Sequence, residues 1–183
     1  RGSGVSVRIT RPSWRWRELT LPDKLAPSEA NAIEARLARA ILGWEGTRYM
    51  SGQQRRGTHA DCIGFVFGVV DEMYGRKSPD RTVLPPDTAM HSREQALATI
   101  RTLRRLYAPN EPVTDGTIEP GDIIVTGHRQ GGPGHVMIAG SVRNTLWHCV
   151  NEIGVCQTGI GLADGYERIF GVYRFSDRER WLR

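Results

Sequence analysis

Three side chains can be combined into one reaction. Cys62 follows Asp61 at the expected start of a helix, His135 opens an apolar run, and His148 ends another. A cysteine attacks as its thiolate, and near neutral pH a free thiol is mostly protonated. A helix N-terminus offers unpaired N–H groups and the positive end of the dipole, which favour the anion and could also meet an oxyanion. An imidazole can take the thiol proton, and a second polar group can hold that imidazole in the useful tautomer. This chemistry is acyl transfer from an amide. Taken alone, Cys62 is also compatible with a buried structural cysteine, and His135 and His148 with structural or surface histidines. The three other histidines are weaker candidates for the base: His59 and His128 fall in loop-like stretches, and His91 sits beside a helix cap.

Elements must exist to position these groups. Pro27 and Ser28 introduce a helix, with Ser28 as cap, and Ile33, Leu37, Ala40, Ile41 and Trp44 recur on one face of it. A second helix is expected from about Asp61 to Gly75. Its apolar residues run nearly all the way round, so it is buried. Gly64 and Gly68 lie four apart within it and leave a stripe where another element can come close. Residues 76–91 hold three prolines and read as a surface loop. Ser92 with Gln95 forms a capping box for a helix that presents Leu97, Ile100, Leu103 and Tyr107. After Pro109 come short β-type runs: Asp122–Thr126, His135–Ala139, Thr145–Val150, Ile153–Gln157 and Ile169–Phe175. Helices followed by a strand meander predict an α+β domain, with N-terminal helices packed on a C-terminal antiparallel sheet. Alternation sets His135, Met137 and Ala139 on one face, and Cys149 on the face opposite His148.

The chain of 183 residues suits one domain. Arg1-Gly2-Ser3 reads as a tag scar, and residues 5–27, with Trp14 and Trp16 alternating with Arg15 and Arg17, as an extended arm or edge strand. The organisation expected is 1–27 as scar and arm, then 28–183 as one catalytic domain with an insert at about 76–118. The formal charge of +5 is mild and would suit an anionic polymer or a solvated face. No nucleic-acid motif accompanies it. No apolar run is long enough to span a membrane, and no stretch near the start has the layout of a secretory signal. Three cysteines leave at least one thiol unpaired within the chain. Cys149 and Cys156 could face each other across a hairpin or remain reduced.

A set of motifs in fixed order carries a resemblance. Tyr49-Met50-Ser51-Gly52, Asp61-Cys62-Ile63-Gly64-Phe65-Val66, Pro120-Gly121-Asp122-Ile123-Ile124, Gly134-His135-Val136-Met137-Ile138, Trp147-His148 and Gly154-Val155 resemble the NlpC/P60 family over residues 30–175. Members are papain-like cysteine peptidases that cut peptidoglycan stem peptides. The resemblance implies a papain-like fold, with Cys62 as nucleophile, His135 as general base and His148 as the residue that orients it. It implies Tyr49, Asp61, Ile63 and Gly134 as residues at the substrate, with Asp61 toward a free amine of the stem peptide. No cofactor or metal is implied. Ile63 stands where the family often has serine, and Ser51-Gly52-Gln53 replaces the usual Trp-Gly-Gly, so the bond cut need not be the L-Ala–γ-D-Glu linkage. A large aliphatic residue after the cysteine is similar to phage-tail and gene-transfer-agent peptidases, where the N-terminal arm could dock a tail protein or another partner. Other readings use the same residues: a zinc site of His59, Cys62, His135 and His148, a catalytically silent wall-binding or tail module, or an acyltransferase or deamidase.

Overall fold

In a computed structural model the chain is described at residues 14–18, 27–76, 98, 100–102, 104–105, 110–128, 134–161 and 167–182. The tag scar, most of the arm and loop, and the Ser92–Gln95 capping box lie outside these residues.

Helix α1 (Pro27–Leu42) begins two residues earlier than Ser28 as a cap would require. Proline fits the first helical position because its missing N–H has no intrahelical partner there. Helix α2 (Cys62–Tyr74) is capped as its sequence dictates. Asp61 is extended (φ −101°, ψ −178°), and Gly75 ends the helix in the left-handed conformation (φ 60°). Eleven of its thirteen residues are buried, including Ile63, Phe65, Val66, Phe67, Val69 and Val70. Gly68 is where the turn after α1 comes close. A Cβ there would fall on the Trp44 ring. That indole stacks edge-on against Phe65 at 6.0 Å and donates to Glu72 Oε1 at 3.1 Å. Beyond the loop, residues 98, 100–102, 104 and 105 are helical, and Ile100 reaches the core.

Most of the remaining described elements are strands. Ahead of the main sheet lie β1 (Arg15–Trp16), β2 (Arg48–Tyr49), β3 (Gln54–Arg55), β4 (His59–Ala60), β5 (Asn110–Pro112) and β6 (Thr117–Ile118). Then come β7 (Ile123–His128), β8 (His135–Ala139), β9 (Thr145–Val150), β10 (Gly154–Gly159) and β11 (Glu167–Phe175). The main sheet has the order β10-β9-β8-β7-β11-β5 and is antiparallel throughout. β8 and β9 have the bounds expected from sequence, while β7, β10 and β11 run one or two residues differently. This is the α+β architecture the element order implies.

Period-2 alternation divides the sheet into two apolar faces. Ile123, Val125, Val136, Ile138, Cys149, Val155 and Phe175 face the helices. Ile118, Ile124, Met137, Ala139, Leu146 and Val172 form a second cluster, against which Trp14 and Trp16 pack. At Arg15–Trp16 the arm is a strand, outside the main sheet. β1 pairs in parallel with β6, and its tryptophans pack on the protein's own second face.

A buried ion network, unforeseen in the sequence, ties the sheet to the C-terminus. Glu119 and Asp122 are fully buried. Arg174 reaches Glu119 at 3.0 Å and Asp122 at 2.8 Å, and Arg178 reaches Glu119 at 3.0 Å and also pairs with Asp122. Arg17 adds a bond to Glu119 at 2.7 Å, fixing the arm. Buried charges survive only when paired this completely. The short 3-10 helix Arg178–Leu182 then buries Trp181 against α1.

Candidate active site

Cys62 is the first residue of α2 and is 1 % exposed. Asp61 is fully buried, and its carboxylate serves the backbone: Oδ1 accepts the Gly64 N–H at 2.7 Å and Oδ2 the Gly52 N–H at 2.6 Å. One carboxylate therefore fixes both the helix start and the 51–52 turn after Tyr49.

The helix start is also held from the sheet side. α2 packs on β8 and β9. Cys149, inside β9, donates its thiol to the Ala60 carbonyl at 3.2 Å. Its chain neighbour is His148. β8 and β9 pair Ile138 with Trp147 and Ala139 with Leu146. Continuing that register sets His148 opposite Met137 and makes His135 its diagonal neighbour on the same face, within reach for long or aromatic side chains. The rings meet: His135 Nε2 and His148 Nδ1 are 2.8 Å apart, with centroids at 5.1 Å and planes at 64°. Both residues are partly exposed. With Nε2 engaged by His148, Nδ1 is the atom through which His135 can exchange a proton with another group. An imidazolium at His135 must donate from both nitrogens, so His148 would then accept at Nδ1 and carry its own proton on Nε2.

The other residues named from sequence fall in different places. Tyr49 is half-buried and packs on the core beside the turn that Asp61 holds. Gly134 is half-buried immediately before His135. Ile63 is fully enclosed in the helix–sheet core. Neither Ile63 nor Asp61 offers side-chain surface in this structure. Among the described residues no group of three or more His, Cys, Asp and Glu is arranged to hold a metal ion, and this includes the four residues of the zinc reading. No described helix is long and apolar enough to cross a membrane.

The hairpin of β9 and β10 pairs Cys149 with Val155 and Cys156 with His148. The one-residue offset sends the two cysteines to opposite faces. They do not face each other, and all three cysteines are free thiols. Cys156 lies directly across from His148, and burial raises its thiol above the ordinary range. Gly154 closes this corner. Its φ is +85°, and a side chain there would strike the Thr47 backbone. That approach lets Val155 N–H donate to the Thr47 carbonyl at 2.9 Å, joining β10 to the loop that carries Tyr49.

Sequence reasoning set His59 aside as a loop residue, whereas it lies on β4 in a three-stranded sheet with β2 and β3. Two-residue strands are too short to show alternation, so only the glycines bracketing residues 46–57 hinted at tight turns.

No sequence-family model and no curated protein matches the chain. Solved structures do. The NlpC/p60 domain of the peptidoglycan hydrolase SagA aligns with a TM-score of 0.50 and 18% identity, covering 78% of this chain and 98% of that one. A Staphylococcus aureus subsp. aureus Mu50 protein, described as similar to lipoprotein and of the NLP/P60 family, aligns with a TM-score of 0.50 and 19% identity, covering 85% of this chain and 44% of that one. At such identities the likeness is one of fold. With a capped α2 packed on an antiparallel sheet, the chain has the fold of the NlpC/P60 family.

Proposed function

We propose that this chain is a cell-wall hydrolase of the NlpC/P60 type, a cysteine-nucleophile amidase or endopeptidase acting on peptidoglycan stem peptides. The observation that supports this most is the 2.8 Å contact between His135 Nε2 and His148 Nδ1. Cys62 opens the helix that packs on β8 and β9, the two strands that carry these histidines. The fold shared with a peptidoglycan hydrolase domain supports the substrate class.

In this reading His135 takes the Cys62 proton through Nδ1, while His148 accepts the Nε2 hydrogen and steadies the imidazolium. The helix start favours the sulfur anion. The thiolate attacks an amide carbonyl, and first-turn N–H groups meet the oxyanion. His135 then protonates the leaving amine, and a thioester remains on Cys62. Water, with His135 as base, releases the acid and restores the thiol. Asp61 acts by positioning the helix start, since both its oxygens already accept backbone hydrogens. Tyr49 and Gly134 border the substrate.

Mass spectrometry of purified peptidoglycan digested by the wild type and by Cys62→Ala tests the reading. Soluble muropeptides from the wild type alone are expected, and their masses name the bond. Release by both proteins, or by neither on several wall types, would overturn it.

A further inference from the structure

One flank of α1 carries a basic cavity that the proposed reaction does not use. Ala32, Arg36, Arg39 and Ala40 recur at helical spacing and share one stripe, beside the apolar face of Ile33, Leu37 and Ile41. The two alanines are too short to cover the arginines between them. Arg56, Glu72 and the 3-10 helix near the C-terminus form the other walls of an open cavity of about 670 Å³.

The charge of this cavity is not balanced from within. Arg36 donates to the carbonyls of Trp181 at 2.8 Å and Glu72 at 3.0 Å. These neutral acceptors lock the guanidinium in place but leave its charge standing, with further N–H groups to offer. Arg36 thereby also clamps α1 to α2 and to the 3-10 helix. Arg39 has no such structural duty. It is exposed, and among the described residues nothing pairs with its guanidinium. Arg56 pairs with Glu72 at 3.0 Å, so the one carboxylate in the wall is already offset. Two permanent cations remain. Each would be worth little on a flat surface, but a concave wall focuses their field.

The cavity lies apart from the catalytic residues. Glu72 is ten residues after Cys62 on α2, about 15 Å along the helix axis. Residues at i and i+3 hold their Cβ atoms about 5–6 Å apart, so Arg36 and Arg39 can meet one anionic group. A carboxylate would leave one of the two charges unmatched. A phosphate monoester carries close to two charges at neutral pH and has three acceptor oxygens, which suit a pair of guanidinium forks. The volume falls in the range of roughly 300–1,000 Å³ for small-molecule sites and is more than a bare phosphate fills. Ala32 and Leu182 supply apolar wall for the rest of the ligand.

We propose that the cavity flanked by Arg36 and Arg39 binds an organic phosphate monoester, at a site separate from Cys62. Arg36 is the fixed anchor, and Arg39 is the free arm that closes on the phosphate. The proposal does not depend on the hydrolase reading.

Isothermal titration in a phosphate-free, low-salt buffer tests it, with glycerol 3-phosphate as the probe and inorganic phosphate as the comparison. Glycerol 3-phosphate is expected to bind the wild type and Cys62→Ala alike. Arg39→Gln should weaken binding at least about tenfold, while thermal unfolding stays unchanged because the side chain is exposed. Binding should also weaken from about pH 7.5 to about pH 5, since the phosphate takes up a proton near about pH 6 while the arginines stay charged. Phosphatidic acid in phosphatidylcholine vesicles carries the same monoester, and sedimentation with such vesicles separates a lipid source from a soluble one. Retention on them that Arg39→Gln abolishes would support the proposal from the lipid side. Binding of neither form, an affinity unchanged in Arg39→Gln, or inorganic phosphate binding as tightly as glycerol 3-phosphate would each overturn it.

Discussion

The Cys149 thiol donates to the Ala60 carbonyl at 3.2 Å, joining the strand that carries His148 to the residue two before Cys62. The same carbonyl accepts the Met50 N–H at 2.9 Å, so it keeps one partner without the thiol. Cys149→Ala is therefore expected to cost about 1 kcal/mol, through lost packing and one weak hydrogen bond. Activity should fall by less than about tenfold, since 1.4 kcal/mol corresponds to a factor of ten. Urea unfolding and a muropeptide-release assay check both values. Loss of activity as complete as in Cys62→Ala would show that Cys149 does more than hold the strand.

In the proposed mechanism His148 acts through His135, so its replacement should be graded. His148→Ala leaves His135 Nε2 without this partner, and a loss of about 10²–10⁴ in kcat/KM is expected, within the range for general acid–base groups. His148→Gln can present a carbonyl oxygen to the same nitrogen and should recover part of that loss. Steady-state kinetics of both variants over a pH series decides. Equal activity in the alanine and glutamine variants would contradict the orienting role.

Gly68 faces the Trp44 ring with no room for a methyl group. Gly68→Ala gains about 1 kcal/mol of helix propensity. It also forces apart a buried indole held by Glu72 and Phe65. Overpacking of this kind costs about 1–3 kcal/mol, so a net loss of stability is expected. Pairing the change with Trp44→Phe should relieve part of it, as a double-mutant cycle in urea would measure.

Tyr74 donates to Asp177 Oδ1 at 2.6 Å. Burial, then the bond to Asp177, holds its hydroxyl well above the ordinary value of 10.0. The folded state therefore keeps this proton more tightly than the unfolded chain. The contribution is fully present below about pH 10 and declines as the unfolded tyrosine ionises above it. Because the side chain is partly exposed, the decline should stay below about 1 kcal/mol per pH unit. Tyr74→Phe should cost about 1–2 kcal/mol at neutral pH, and its deficit against the wild type should shrink above pH 10. Denaturant titrations at pH 7–11 test this, and a deficit independent of pH would contradict it.

What the sequence determined by itself is local. Asp61 before an apolar run sets the cap and places Cys62 at the helix start, because a capping carboxylate bonds an N–H three residues on. Gly75 sets the other end, and alternation sets the bounds of β8 and β9 and turns Cys149 to the core side. Tertiary structure decided what depends on register and burial. The His135–His148 contact needs two strands aligned diagonally, and nothing in either segment fixes that alignment. The same alignment separates Cys149 from Cys156, which hairpin spacing alone allowed to meet. The enclosure of Asp61 and Ile63 comes from packing by residues distant in the chain. The Glu119–Asp122–Arg174–Arg178 network arises the same way, since charges far apart in sequence leave no periodic trace.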